Sequence, residues 1–432
     1  MLTIGLVGLI ALVTLVCLGV PLAFAIGLVA LVGNAAILGF QQTAIQLYQS
    51  TFNSTTEFIM MSIPLFILMG QLVALGGLGR DLYDCIYRWM AWIPGGLAVA
   101  TILSCAAFGA LTGISAAGIG TLAPIALPQM ERYKYSRRLA AGSLASASTL
   151  AILIPPSVAF IVYGIWTETS IGALFLAGVV PGLILTAFFA IYVVIVTLIN
   201  PSLAPRSVVP EGSKFAATIK VLPVFGIFIL LMAGLYRGWF TPGEGAAVGT
   251  VAVAAVLFVM GRLTWTAIAE ASRSAARLTV MIFAIVIVVQ VFSRFLVLTE
   301  IPATLVGALT GSGLDPYVIM VIILFAYLLL GMILDTIGMM LLTLPFVFPV
   351  IVSLGFDPIW FGVVLVIMIE VGLLTPPVGL NCYMLNQLAP SFPLKDIFIG
   401  VMPFVGLCLI LVGILLMFPG LATWLPSVVF TR

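Results

Sequence analysis

Two proline pairs stand in the middle of long apolar runs, Pro155 and Pro156 in one and Pro376 and Pro377 in the other. Proline lacks the amide hydrogen that a helix needs, so each pair unwinds its helix and frees backbone carbonyls. Polar residues gather along the chain around these points: Ser148, Thr149 and Ser157 near the first, Thr375 and Asn381 near the second, with Glu370 on the approach to it. Two turns of small residues add Thr112, Gly113 and Ser115 in the first half, and Asp335, Thr336 and Gly338 in the second. Carbonyls and hydroxyls suit a hard cation such as Na⁺, and the helix N-termini created at breaks attract anions. Such a set binds ions; it holds no nucleophile with a base beside it. Histidine is absent altogether, which removes the Ser-His-Asp triad, His-ligated zinc and haem, and the commonest proton shuttle. The five cysteines (Cys17, Cys85, Cys105, Cys382, Cys408) are scattered without a CxxC pair, and no Walker A motif is present. An intramembrane enzyme would have to run on Asp335 and Glu370 alone.

The elements that position these residues must be membrane helices. The 432 residues are 63% hydrophobic and 7% charged, far from the ~25% charged of an ordinary soluble domain. Apolar runs fill the whole chain, and one span per ~20 residues allows about ten spans with something left over. With 16 basic and 14 acidic residues the chain is nearly neutral, and no nucleic-acid partner is expected. The apolar N-terminus begins without a basic segment or small-residue cleavage site, and is read as a retained first span.

The prolines repeat. Pro21, Pro124, Pro128, Pro155 and Pro156 recur 221 positions later as Pro242, Pro345, Pro349, Pro376 and Pro377. Pro94 with Pro316 and Pro181 with Pro403 follow at 222, although only 25 of the 432 residues are proline. Helix-end prolines at similar spacing would give some of these pairs but not the whole register. Two units are therefore expected, 1–210 and 211–432.

Apolar runs and their punctuation give spans near 3–19, 21–38 and 58–77, then a short amphipathic segment from Arg80 to Trp92. Paired runs at 97–111 and 116–130 precede long ones at 138–168 and 171–199. The second half has spans near 219–236, 243–260 and 278–296, paired runs at 317–332 and 339–353, then 358–388 and 397–419. Each paired run is about 15 residues, short of a crossing. Re-entrant hairpins at 97–130 and 317–353 are expected, each followed by a Pro-Pro-broken helix at 138–168 and 358–388. The polar stretches 41–57 and 262–278, at the same offset, read as interfacial helices or connecting loops.

Lys and Arg collect in cytoplasmic loops. With the N-terminus outside and each hairpin returning to its own side, thirteen of the 16 fall inside: Arg80, Arg88, Arg132, Lys134, Arg137, Arg138, Arg206, Lys214, Lys220, Arg262, Arg273, Arg277 and Lys395. Arg237, Arg294 and Arg432 fall outside. Five crossings per half then invert the second unit relative to the first. Inverted repeats with discontinuous helices are a recurring plan of secondary transporters, with sites near the midplane. Non-helical backbone at that depth is tolerated only where protein covers it or it lines a wet cavity. No Lys or Arg lies in the interior to neutralise an acidic solute, so helix dipoles and co-bound cations would have to. The reading is cation-coupled uptake of a small, anionic solute.

The stretches Tyr135–Ala145 and Leu153–Ser157, with Tyr163 and Gly164, resemble the large membrane subunit of TRAP (tripartite ATP-independent periplasmic) transporters, and so do Gly238–Ala247 and Leu374–Asn381. The similarity runs over essentially the whole chain. It implies an elevator-type carrier of the ion-transporter superfamily in the bacterial inner membrane, driven by Na⁺ and needing no cofactor beyond that ion. It also implies two partners, a separate small four-helix membrane subunit and a periplasmic solute-binding protein, with a C4-dicarboxylate, sialic acid or related organic acid as solute. In that scheme 97–168 and 317–388 slide within a scaffold made of the remaining helices. The chain departs from the family at Gly113, Ile114 and Ser115, where Gly-Ser-Ser is frequent, and at Thr241, Pro242, Gly243 and Glu244, where Thr-Pro-Thr-Glu is. Fewer tip hydroxyls shift the expected Na⁺ ligands to backbone carbonyls near Thr112–Ser115 and Asp335–Gly338. A stand-alone Na⁺/anion carrier of the same superfamily is the alternative, and an ion channel a more distant one.

Individual residues carry rival roles. Thr241 to Glu244 reads as a capping box with proline at the first helical position. Asp335 can cap the second arm of its hairpin, bind a cation, or do both, since intramembrane acids are expensive and usually functional. Glu370 is either a coupling carboxylate or a buried acid satisfied by a neighbouring helix, the second being preferred. The Ser and Thr hydroxyls can also bond back to their own helices. Arg137 and Arg138 are read as anchors at the cytoplasmic face.

Overall fold

The computed structural model describes residues 1–205 and 212–430, which are helical with no strand among them. Arg206, Arg432 and the expected boundary between the two units at 210 and 211 lie outside the described residues. Five helices open the chain: α1 (Leu2–Cys17), α2 (Leu22–Leu38), α3 (Phe40–Thr56), α4 (Ser62–Leu75) and α5 (Leu78–Met90). A helical hairpin of α6 (Gly96–Thr112) and α7 (Ser115–Arg132) follows, then an interrupted run of α8 (Arg137–Ser148), α9 (Leu150–Leu153) and α10 (Val158–Thr167), and α11 (Ile171–Ile199). The second half holds α12 (Lys214–Tyr236), α13 (Pro242–Val259), α14 (Trp265–Leu298) and α15 (Ile301–Thr310). Its hairpin is α16 (Pro316–Gly331) and α17 (Thr336–Ser353), its interrupted run α18 (Pro358–Leu374) and α19 (Leu380–Leu388), and α20 (Leu394–Met417) and α21 (Gly420–Phe430) close the chain. Among the described residues seven helices are long and apolar enough to cross a membrane, or eight if α8–α10, bent by 41° at its break, is one span.

Local chemistry explains the punctuation. Both Pro-Pro pairs end their helices, and both inter-proline peptide bonds are cis. Gly113 closes α6 at φ +65, a conformation in which a β-carbon is strained, and a β-carbon there would sit 2.4 Å from the Pro156 carbonyl oxygen. At the other tip the Asp335 carboxylate caps α17 by accepting from the Gly338 amide at 3.1 Å. Thr241 and Glu244 form the full capping box at the start of α13, with Pro242 at its first position. The matched prolines occupy matched places: Pro124 and Pro128 lie inside α7, and Pro345 and Pro349 inside α17.

Helices α1–α4, α13 and α14 pack chiefly on one another, with α12 joined to them through α13 and packed also on α5, while the hairpins, the interrupted helices, α11, α20 and α21 form a second group. Every residue of α18 from Trp360 to Leu374 is buried, as expected of a helix apolar on all sides. The sequence-based division left 171–199 and 397–419 with the scaffold, but α11 and α20 pack mainly on the hairpins and broken helices. Close contact holds α20 there: a β-carbon on Gly400 would lie 2.1 Å from the Arg138 carbonyl oxygen, and Arg138 pairs with Asp396 at 3.0 Å.

Two further differences have simple causes. The stretch 262–278 is not a separate interfacial element. From Thr264, which caps it, α14 runs unbroken for 34 residues, with no glycine or proline between Trp265 and Leu298 to stop it. The ten-residue α15 and eleven-residue α21 were not anticipated, being too short to register as apolar runs. Of the two readings of 41–57, helix or connecting loop, the structure has the helix, as α3, and the amphipathic segment from Arg80 to Trp92 lies largely in α5.

Candidate functional site

The two tips meet the two breaks. The Val158 amide, just past the first break, donates to the Gly113 carbonyl at 3.3 Å, and the Gly379 amide, just past the second, donates to the Met332 carbonyl at 3.4 Å. Each hairpin is thus bonded to the unwound backbone of the interrupted helix that follows it. Helix packing supports both contacts. A β-carbon on Gly109 of α6 would lie 2.3 Å from the Ala151 α-carbon, and one on Gly372 of α18 would lie 2.5 Å from the Gly331 α-carbon.

A cavity of about 230 Å³ lies between the tips, and Gly113, Ser115, Asp335, Thr336 and Asn381 all line it. These five come from both hairpins and from the helix after the second break. The rest of the wall is apolar and includes Ile67 of α4, Leu278, Met281 and Ile282 of α14, and Met384. Those residues went unforeseen because an ordinary apolar side chain carries no signal that distinguishes a cavity wall from a core. A larger cavity of about 940 Å³, lined by Arg80, Asp81 and Arg262, shares Ile114, Ala116, Leu278 and Met384 with the first. The two cavities are therefore neighbours, and the larger one reaches the Asp81–Arg262 ion pair. That pair holds the Arg262 guanidinium above its usual range, chiefly by the hydrogen bond it donates to the Asp81 carboxylate. The polar cavities lined by Gln290 and Trp166 share no lining residue with the tip cavity.

Other predicted site residues are spent locally. Thr112, Ser148, Thr149 and Thr375 donate to carbonyls of their own helices, at 3.2, 2.6, 2.6 and 3.0 Å, which satisfies the hydroxyl without reference to a ligand. Ser157 caps α10 by accepting from the Phe160 amide at 3.4 Å. Pro155, Pro156, Pro376 and Pro377 shape the breaks and do not line the tip cavity, and Gly338 supplies the amide that Asp335 caps.

Glu370 stands at the centre instead. It is only 4% exposed, and its Oε1 accepts from the Thr336 hydroxyl at 3.1 Å while its Oε2 accepts from the Asn381 amide at 3.5 Å. The Ser115 hydroxyl stands beside the same carboxylate. The preferred reading of the sequence, an acid satisfied by a neighbouring helix, is incomplete. Its partners are the polar residues of both tips and of the second break. The signal was the acid itself inside a wholly apolar helix.

Residues 9–421 match the family described as tripartite ATP-independent periplasmic transporter, DctM component. The C4-dicarboxylate TRAP transporter large permease of Pseudomonas aeruginosa is 33% identical over 398 residues, covering 91% of this chain and 92% of that protein. The ectoine TRAP transporter large permease of Halomonas elongata is 28% identical and covers 96% of this chain and 97% of its own length. Among solved structures, the YdaH transporter of Alcanivorax borkumensis superposes with a TM-score of 0.61 over 89% of this chain and 88% of that one. At 14% identity that likeness concerns the fold alone.

Proposed function

The chain belongs to the DctM component family of tripartite ATP-independent periplasmic transporters, and from that premise we propose that it is the carrier subunit of a Na⁺-coupled importer of small organic acids. It is a multi-pass membrane protein whose curated relatives are transporter permeases, not enzymes. The observation that carries the reading is the convergence of Ser115, Thr336, Asn381 and Gly113 on one cavity between two hairpin tips. Hydroxyls, an amide and the unwound carbonyls beside the breaks offer oxygen to Na⁺, and no Lys or Arg lines that cavity. A carboxylate solute there would depend on co-bound cations for charge balance. C4-dicarboxylates come first among the solutes because the Pseudomonas aeruginosa relative is named for them.

In this reading the two halves are inverted repeats, and the end bearing Arg80 and Arg262 is cytoplasmic by the distribution of positive charge. The tip cavity adjoins the larger cavity at that end, which supports an inward-facing state. Alternating access comes from sliding the group of hairpins, broken helices, α11 and α20 against α1–α4 and α12–α14. A small membrane subunit covers α1–α4 and α12–α14, a solute-binding protein delivers cargo from the periplasm, and the whole sits in the bacterial inner membrane. The test uses proteoliposomes holding this chain and its small partner, with a Na⁺ gradient and labelled organic acids, with and without the binding protein. Uptake that needs both is the expected result. Uptake indifferent to the binding protein points to a solitary carrier, and uptake indifferent to Na⁺ overturns the coupling.

A further inference from the structure

Glu370 is the one charged residue of α18, and it is buried with the rest of that helix from Trp360 onward. Each partner it has is uncharged: a hydroxyl from the second tip, an amide from α19, and a hydroxyl from the first tip. A carboxylate removed from water is costly to keep ionised unless a positive charge or strong donors compensate. Two hydroxyls and an amide stand beside its oxygens but supply no counter-charge, so its ionised form depends on a cation. The cavity beside it takes in Ser115, Thr336 and Asn381, the same three groups that hold the carboxylate. A cation entering that cavity therefore lies next to the charge, and every group that orients the charge belongs to a tip or to the second break.

We propose that Glu370 is a positioning residue that joins the two hairpin tips, so that arrival of the coupling cation and closure of both tips become one event. This rests on the carrier reading above. With the cation present, the balanced carboxylate holds Ser115 and Thr336 together across the cavity; without it, the unbalanced charge weakens the closed arrangement. Glu370 acts through the tip residues and through its field, and need not touch the solute.

The test compares wild type with Glu370→Gln, Glu370→Asp and Ser115→Ala, each reconstituted with the small subunit and assayed with the binding protein across a range of Na⁺ concentrations. Glu370→Gln keeps the size and one acceptor while removing the charge. It is expected to raise the half-saturating Na⁺ concentration by about tenfold and to lower the Hill coefficient, with uptake at saturating Na⁺ within about threefold of wild type. Glu370→Asp restores part of the Na⁺ response, and Ser115→Ala shifts it by about twofold. In detergent, without the binding protein, Na⁺ raises the unfolding temperature of wild type, and Glu370→Gln loses that rise. Unchanged Na⁺ dependence in Glu370→Gln overturns the inference, as does a uniform fall in uptake at an unchanged half-saturation, which is what a merely structural acid gives. A wild type that ignores Na⁺ fails the carrier reading itself, and is told apart by needing no variant.

Discussion

The two hairpins and their breaks share a register and differ in charge and cover. At the 221-residue offset Ile114 answers to Asp335, Ser115 to Thr336, Thr149 to Glu370, and Phe160 to Asn381. The first set is neutral; the second holds both acids and the amide. The first break caps its outgoing helix with Ser157, whereas the second enters α19 through Gly379 at φ +61 without a side-chain cap. Cover differs too. The first arm α6 is buried over nearly its whole length, while α16 leaves Val318, Val321, Ile322, Phe325 and Leu329 exposed along its length. A common helical plan thus serves two ends: a hairpin neutral at its tip with a buried first arm, and one with an acid at its tip and an exposed face on its first arm. The Ser115 hydroxyl lends the first to the second by reaching Glu370.

The largest expected effect comes from moving the charge. Thr149 is buried and its hydroxyl is already spent on the Ser146 carbonyl, so Thr149→Glu places a carboxylate where no tip residue serves it. The cost is on the order of 3–5 kcal/mol, as for a buried charge left without its partner. Loss of monodisperse protein in size-exclusion chromatography is the readout. A folded Thr149→Glu that transports like wild type would mean that the first half accepts a charge as readily as the second.

The close packings come next, at about 1–3 kcal/mol each for a methyl forced into a filled contact. Gly109→Ala meets the Ala151 α-carbon at 2.3 Å from within an enclosed helix; Gly372→Ala meets Gly331 at 2.5 Å; Gly331→Ala meets Gly372 at 3.0 Å, on an arm with a free face along which to shift. Apparent unfolding temperatures in detergent should fall in that order, steepest for Gly109→Ala. Equal losses at Gly109 and Gly331 would show that the uncovered face of α16 gives no freedom. Ser157→Ala follows, at about 1 kcal/mol for a lost helix cap, read in the same assay. No loss there would show that the hydroxyl does not hold α10.

Much of this plan was legible because proline and small-residue turns act locally. The hairpin arms, both breaks and the extent of α11 follow from residues that interrupt helices wherever they occur. The packing group of α11 and α20 was not legible, because Gly142 and Gly400 look like any small residues until their helices cross at backbone distance. The site divided along the same line. Ser115, Thr336 and Asn381 were marked by being polar at a tip or break, yet Thr112, Ser148, Thr149 and Thr375, marked in the same way, spend their hydroxyls on their own helices. Sequence position alone does not say which way a hydroxyl turns. Glu370 was visible as an acid among apolar neighbours, but its three partners lie 255, 34 and 11 positions away, and only the fold brings them to it.

Asp335 gives the smallest change in stability and the finest division between capping and binding. Its carboxylate lines the tip cavity and also accepts from the Gly338 amide, so one group serves a local and a long-range purpose. Asparagine keeps the acceptor, and an Asn cap is about as good as Asp, so Asp335→Asn should leave the unfolding temperature within a shift worth a few tenths of a kcal/mol, whereas Asp335→Ala loses about 1 kcal/mol. The half-saturating Na⁺ concentration separates the two purposes. It should rise in Asp335→Asn by less than in Glu370→Gln, because Asp335 is partly exposed and its charge is better screened than one buried in α18. An Asp335→Asn carrier whose Na⁺ response matches wild type would make Asp335 a cap alone and leave Glu370 as the only acid of the pair coupled to the ion.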